Sequence, residues 1–192
     1  MLNTLRPAVV SLGALTLITG IAYPLAVTGI AGLVASGPAS GSVEYVAGKP
    51  VGSRLIGQTF TKPYYLQGRP SAAGDGYDPT QSGGSNLGPL DPKLADRVQK
   101  SVTALGVSPS AIPADAVTTS ASGLDPEISP EFARLQVDRI AKARGRVPDI
   151  VRTAIDAHTQ GRFLGVIGEP RVNVLAVNID LDQRFPLKTG QK

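Results

Sequence analysis

The sequence predicts one N-terminal transmembrane helix followed by a soluble α/β or α+β domain with one small sheet and about three helices. Three observations predict it. No charged residue lies between Arg6 and Glu44. Three later segments each carry a helix start, an apolar stripe and a stop. One late segment, Arg171–Leu181, is apolar on both of its alternating sets, as a strand covered on two sides would be. The 192 residues leave room for one domain with a real core and an appendage. The 22 glycines and 16 prolines are about a fifth of the chain against a usual ~12%, so much of the backbone is expected in turns and loops.

The uncharged run Ala8–Ala35 reads AVVSLGALTLITGIAYPLAVTGIAGLVA. A membrane span needs about 20 apolar residues and a signal-peptide core only about 7–15, so a retained helix is expected over a cleaved signal. The expected organisation is a short cytoplasmic tail (1–7), a transmembrane helix (8–35), a Gly/Ser/Pro linker (36–42) and an extracytoplasmic soluble domain (43–192). Arg6 precedes the span, whereas Lys49, Arg54 and Lys62 follow it, which taken alone would put the domain inside. Large C-terminal domains translocate largely regardless of charge, and a basic tail before an apolar run is the pattern of a signal anchor, so the domain is expected outside. Small residues four apart, Thr16 with Gly20 and Ala22 with Ala26, offer close packing to a membrane partner, and Pro24 is expected to kink the span unless its neighbours compensate.

In the soluble part, Val51–Phe60 and Pro63–Leu66 read as short strands with a break between them. Gly68–Leu90 has no period, and loops beyond about 12–15 residues are usually functional or disordered. Asp91 then caps a helix with Pro92 at its first position and a stripe of Leu94, Val98, Val102 and Leu105. Pro113–Ser122 is expected to be extended, because of its Val-Thr-Thr run, before a turn at Gly123–Pro126. Ser129 caps a second helix that runs to Gly145, with Phe132, Leu135, Ile140 and Ala143 toward one side. A third helix over Pro148–Gln160 buries Ile150, Val151, Ala154 and Ile155 and stops at Gly161. Arg171–Leu181 is the expected central strand.

Composition excludes several chemistries. Without cysteine there is no disulfide, thiolate nucleophile or Cys-based zinc site. The formal charge is +4, with basic residues dispersed apart from gatherings at Arg134–Arg146 and the C-terminus, and the five Tyr and four Phe form no stacking motif, so nucleic-acid binding is not expected. His158 lies on the apolar face of the third helix with no second His beside it, and a buried, hydrogen-bonded structural role is expected. Neither Asp75 with Asp78 nor Asp180 with Asp182 reproduces a calcium loop, so no metal site is expected.

The stretch QSGGSN, Gln81–Asn86, is the one candidate for nucleotide chemistry. Successive Gly and Ser amides can cradle a phosphate, which makes Ser82, Gly83, Gly84, Ser85 and Asn86 the candidate nucleotide-binding residues. The competing reading is a docking loop or tight turn, with Gly84 at positive φ. No lysine completes a phosphate loop: Gly48-Lys49 is followed by Pro50, and Leu87 stands where a G-x-S-x-G elbow begun at Gly83 needs its last glycine. No set of nucleophile, base and oxyanion donors is visible, so no catalytic residue is assigned and no activity is expected of the chain alone.

Five phrases then stand in register: SRLIGQTF (Ser53–Phe60), QGRPSAA (Gln67–Ala73), SGGSNLGP (Ser82–Pro89), TTSASGLDPEISPEFARLQVDRIAKARG (Thr118–Gly145) and HTQGRFLGVIGEPRVNVLAVNIDL (His158–Leu181). With the single N-terminal span, they closely resemble the C subunit of the Kdp-type potassium-transporting P-type ATPase of bacteria, over nearly the whole chain. The resemblance implies a non-catalytic accessory subunit in the inner membrane. It would pack against a channel-like potassium-binding subunit, beside the ATP-hydrolysing P-type subunit and a small single-span subunit. Two family roles come with it. One is a catalytic chaperone that raises the pump's nucleotide affinity, its SGGSN loop likened to the signature motif of ABC transporters; the other is an external domain that stabilises or covers the ion entrance. A loop outside the membrane cannot share a site with cytoplasmic ATP. The expectation is therefore coupling through the assembled complex, with no firmly bound cofactor and ATP only in that complex. One departure is that members often have His where Glu127 follows Asp125-Pro126, so a pH-sensitive role for that histidine does not carry over. The reading from another class is a signal-anchored extracytoplasmic binding or assembly module unrelated to transport.

Overall fold

The computed structural model describes residues 2–187; Met1 and residues 188–192, where the outer ends of the expected tail and domain and the C-terminal basic gathering fall, lie outside the described residues. The chain divides into two compact units, Met1–Val43 and Glu44–Lys192.

The first unit is helical: α1 (Leu2–Leu17), a π-helical turn (Ile18–Ala22), α2 (Tyr23–Val34) and the single turn α3 (Ser36–Ala39). Thr4–Val34 is 31 residues of apolar helix, roughly 45 Å at 1.5 Å per residue and long enough for the ~30 Å hydrocarbon core of a bilayer. The π turn has a local cause. Pro24 has no N–H and its ring crowds the carbonyl four residues back, so the ladder widens there and the Tyr23 amide reaches the Ile18 carbonyl five residues away. Thr19 adds a hydroxyl bond of 2.7 Å to the Leu15 carbonyl.

After the helices comes a hairpin of β1 (Val43–Val46) and β2 (Lys49–Ser53). Ala47 and Gly48 turn it with φ of 51° and 75°, the left-handed pair that a two-residue hairpin requires. The strand expected over Val51–Phe60 therefore lies earlier and ends at Ser53, and Pro63–Leu66 is irregular. Helix α4 (Pro92–Leu105) forms as expected, with Asp91 accepting from the Lys93 amide at 2.8 Å and Gly106 ending it at φ 64°. Pro113–Ser122 is not extended. Asp115 accepts from the Ser129 amide and hydroxyl at 2.7 and 2.8 Å, and Thr118 bonds back to the Ala114 carbonyl, so one long-range and one local set of side-chain bonds outweigh the β preference of Val-Thr-Thr.

The second helix is split. After β3 (Glu127–Ile128), α5 (Pro130–Leu135) and α6 (Val137–Arg144) meet at Gln136, whose ψ of −8° breaks the axis. Helix α7 (Pro148–Ala157) stops before Gln160 because Thr159–Gln160 forms strand β4. The central strand β5 is only Arg171–Asn173, in the order β3-β5-β4 with both neighbours antiparallel. The rest of the expected strand is helix α8 (Val174–Arg184). Asn173 decides this: its carboxamide oxygen accepts from the Ala176 amide at 3.0 Å, capping a helix whose Val174, Val177 and Leu181 form a stripe as legitimate as the strand alternation.

The core gathers Ile128, Phe132, Val137, Ile140, Val151, Ile155, Val172, Val177 and Leu181, all essentially without solvent contact. The architecture is thus an apolar N-terminal helix followed by a unit with two small sheets and several helices.

Candidate functional site

Around this core the long irregular stretch is fastened by polar side chains that the helices bury. Asn178, on α8, takes the Leu66 amide on its oxygen at 2.8 Å and gives its amide nitrogen to the Leu66 carbonyl at 2.9 Å. Gln136, at the α5–α6 break, does the same for Gln67 at 2.9 and 3.0 Å. Two side-chain amides thus satisfy the backbone of consecutive residues where no neighbouring strand exists. Leu66 between them is fully buried in the core.

Arg144 is the third fastener. It is almost wholly buried, donates to the carbonyls of Tyr64, Leu181 and Phe185 at 2.7, 3.1 and 3.2 Å, and pairs with Asp182 at 2.8 Å. Its guanidinium lies 5.8 and 5.5 Å from the ring centres of Tyr64 and Tyr65, which pack edge to face at 4.8 Å. Every buried charge here has a partner, as the cost of burying an ion demands. Tyr65 donates to Asp182 at 2.8 Å, and burial first, then that bond, pushes its hydroxyl up to about 12. Tyr77 donates to the Arg69 carbonyl at 2.7 Å and is pushed up to about 12, chiefly by burial. Both therefore stay neutral donors at physiological pH.

The QSGGSN loop lies against Ser120–Gly123. Its Gly83 amide donates to the Ser122 carbonyl at 2.8 Å, and the Ser82 hydroxyl donates to the same oxygen at 3.0 Å. That amide faces its own domain, so a phosphate cradle built from Ser82–Asn86 would have to do without it. The left-handed residue of the loop is Asn86, at φ 52°, and not Gly84. What Gly84 provides is room: a Cβ there would stand 3.1 Å from the Ala121 carbonyl oxygen. Asp78 holds the loop's approach, accepting from Thr80 and Gln81 side chains at 2.7 Å each, and these bonds keep its carboxyl below the usual range.

His158 ends α7 and is half-buried, with Nε2 3.3 Å from Asp180 Oδ2. Among the described residues neither atom completes a hydrogen bond, so the hydrogen-bonded histidine expected from the sequence is only a close pair. Asp180 is held instead by Arg184 one turn on. No group of three or more His, Asp or Glu among the described residues is arranged to hold a metal ion.

In the first unit Thr16 and Gly20 are neighbours on one face, a Cβ at Gly20 meeting only the Thr16 methyl at 3.9 Å. Ala22 follows Gly20 by two residues, more than half a helical turn, so the pair Ala22–Ala26 lies on a different side of the helix. Pro24 lies between them, next to the π turn.

The family described as "KdpC: K+-transporting ATPase, c chain" matches residues 5–183. The chain belongs to the KdpC family. A potassium-transporting ATPase KdpC subunit of Beijerinckia indica is 54% identical over 192 aligned residues, covering 98% of each chain. One of Caulobacter vibrioides is 55% identical over 198, covering all of this chain and 99% of its own, and one of Koribacter versatilis is 48% identical over 176, covering 91% of each. Glu127 pairs with Arg171 at 2.9 Å. Burial holds its carboxyl pKa above the usual range, with Arg171 opposing only part of the rise.

Sequence reasoning missed Gln136, Asn178, Arg144 and Asn173 as organising residues. A signal for two of them was present: Gln136 stands between Phe132 and Ile140, and Asn178 between Val174 and Leu181, as polar intruders in helical apolar stripes.

Proposed function

We propose that this chain is the non-catalytic accessory subunit of a high-affinity, ATP-driven potassium uptake pump of the bacterial inner membrane. One span anchors it, with a short tail in the cytoplasm and the soluble domain outside. Its partners are a channel-like potassium-binding subunit, the ATP-hydrolysing P-type subunit and a small single-span subunit. It stabilises their assembly and acts as a catalytic chaperone, promoting ATP binding by the hydrolysing subunit through coupling across the complex and not by touching nucleotide.

The observation that carries the reading is where the polar chemistry goes. Gln136, Arg144, Asn178 and the Gly83 amide are all engaged in fastening the domain's own loops. That suits a shaped docking body. The span fits it too: held as a signal anchor, it would carry the domain to the side opposite ATP.

The test is purification from native membranes, where large polytopic subunits are expected to come with the chain. Calorimetry of the full chain in detergent should show no saturable ATP binding. A one-to-one isotherm abolished by Gly84→Val would sink the coupling reading and restore a direct site at Ser82–Asn86.

A further inference from the structure

The connection between β4 and β5 is a second, smaller hairpin whose tip is apolar and fully presented to solvent. Phe163, Leu164, Val166 and Ile167 are 68, 80, 74 and 61% exposed. The tip is nevertheless built: Phe163 and Ile167 exchange both backbone hydrogen bonds at 2.8 and 3.0 Å, and Gly165 donates to the Arg162 carbonyl at 3.0 Å. Leu164, Gly165 and Gly168 hold left-handed conformations at φ 52, 78 and 83°. An ion pair of 2.7 Å between Arg162 and Glu169 closes the base. Four adjacent apolar side chains on a preformed turn, otherwise left in water, are the mark of an interaction site.

We infer that this hairpin docks into an apolar socket with a basic rim on a polytopic subunit of the same transporter. The inference rests on the accessory-subunit reading above, and the charge around the hairpin selects this occupant. Its base runs into a recess of about 630 Å³ lined by the carboxylates of Asp115, Asp125, Glu127, Glu131 and Glu169 against only two guanidiniums. Arg69 and Arg171 in the recess, and Arg162 beside it, are already tied to Asp125, Glu127 and Glu169, which leaves Asp115 and Glu131 as the carboxylates with no basic partner among the described residues. An anionic lipid surface needs free basic residues beside the apolar anchor and would meet a carboxylate excess here. A second copy related by a two-fold axis would bring the same carboxylates face to face. A protein socket edged with Lys or Arg satisfies both halves of the surface, the apolar tip supplying affinity and the acidic recess supplying orientation.

The test places a photo-crosslinking benzoylphenylalanine at Val166 in the full chain, co-expressed with the other transporter subunits and irradiated in membranes. Mass spectrometry is expected to find the adduct on a polytopic subunit. Val166→Asp should cut the polytopic subunit recovered with the chain about tenfold, and Glu131→Lys should weaken recovery most at low salt, its difference from the parent shrinking as salt screens the charges. Because Val166 is exposed, the thermal midpoint of the variant should match the parent, separating lost docking from lost folding. Adducts only on lipid, only on a second copy of the chain, or none at all while the parent still copurifies would overturn the hairpin inference and leave the accessory-subunit reading standing. A parent chain that brings no polytopic subunit would overturn both.

Discussion

Asn178 and Gln136 each give and take one hydrogen bond with the backbone of Leu66 and Gln67, so four backbone groups depend on two side chains. Asn178→Leu keeps the volume apolar but strands the buried Leu66 amide and carbonyl. At about 1–3 kcal/mol for each unsatisfied group, the stability loss should be roughly 2–6 kcal/mol. Urea unfolding of the full chain in detergent measures it, and a loss near zero would mean the clamp is decorative. Gln136→Leu should not add to it in full, because both clamps hold the same stretch. The tyrosines give a pH prediction. Tyr65 and Tyr77 ionise in the folded chain only near 12, against about 10 in an unfolded chain. A raised folded pKa means that their stabilising contribution is complete below about pH 10 and is lost as the pH climbs toward 12. Ultraviolet titration should show Tyr65 and Tyr77 ionising late, and Tyr65→Phe with Tyr77→Phe should flatten the fall in stability over that window.

At the scale of elements, single residues choose between structures that the pattern alone leaves balanced. Asn173 caps α8 and donates to the Arg54 carbonyl at 3.0 Å, so Asn173→Ala should cost about 1–2 kcal/mol from the cap, with loosening of the β2 region read by hydrogen exchange. Gly123 fixes the QSGGSN loop: at φ 67°, its added Cβ would stand 2.7 Å from both the Ala73 nitrogen and the Gly83 oxygen. Gly123→Ala should therefore expose the loop to proteolysis and cost roughly 1–3 kcal/mol. Gly84→Ala, with its nearest contact at 3.1 Å, should do much less. In the assembled pump, a displaced loop is expected to lower potassium-stimulated ATP hydrolysis without any change in ATP binding by this chain.

For the whole molecule, the predictions concern which side of the membrane each unit occupies and what the span touches. The chain has no cysteine, so a single one introduced as Ser110→Cys, at an exposed position, reports topology cleanly. It should react with an impermeant thiol reagent on intact spheroplasts; labelling only after lysis would reverse the orientation. Gly20→Leu fills the space beside Thr16 and should reduce copurification of a partner helix, whereas Ala26→Leu acts on another face and should affect a different contact or none.

Legible in the chain alone were the apolar span, the caps of α4 and α5, the proline that opens α7, the family and the scarcity of long regular elements. The family is carried by five phrases spread along the chain; the others follow from neighbouring residues: an uncharged run, Asp91 and Ser129 before proline, Gly145 after α6. It took the folded chain to make Arg171–Leu181 mostly helix, to break the second helix at Gln136, and to hold Pro63–Leu66 by side chains where a strand was expected. The physical reason is that these outcomes balance a local preference against partners far away in sequence. Leu66 and Asn178, or Gln67 and Gln136, are identifiable as pairs only once folding has brought them together.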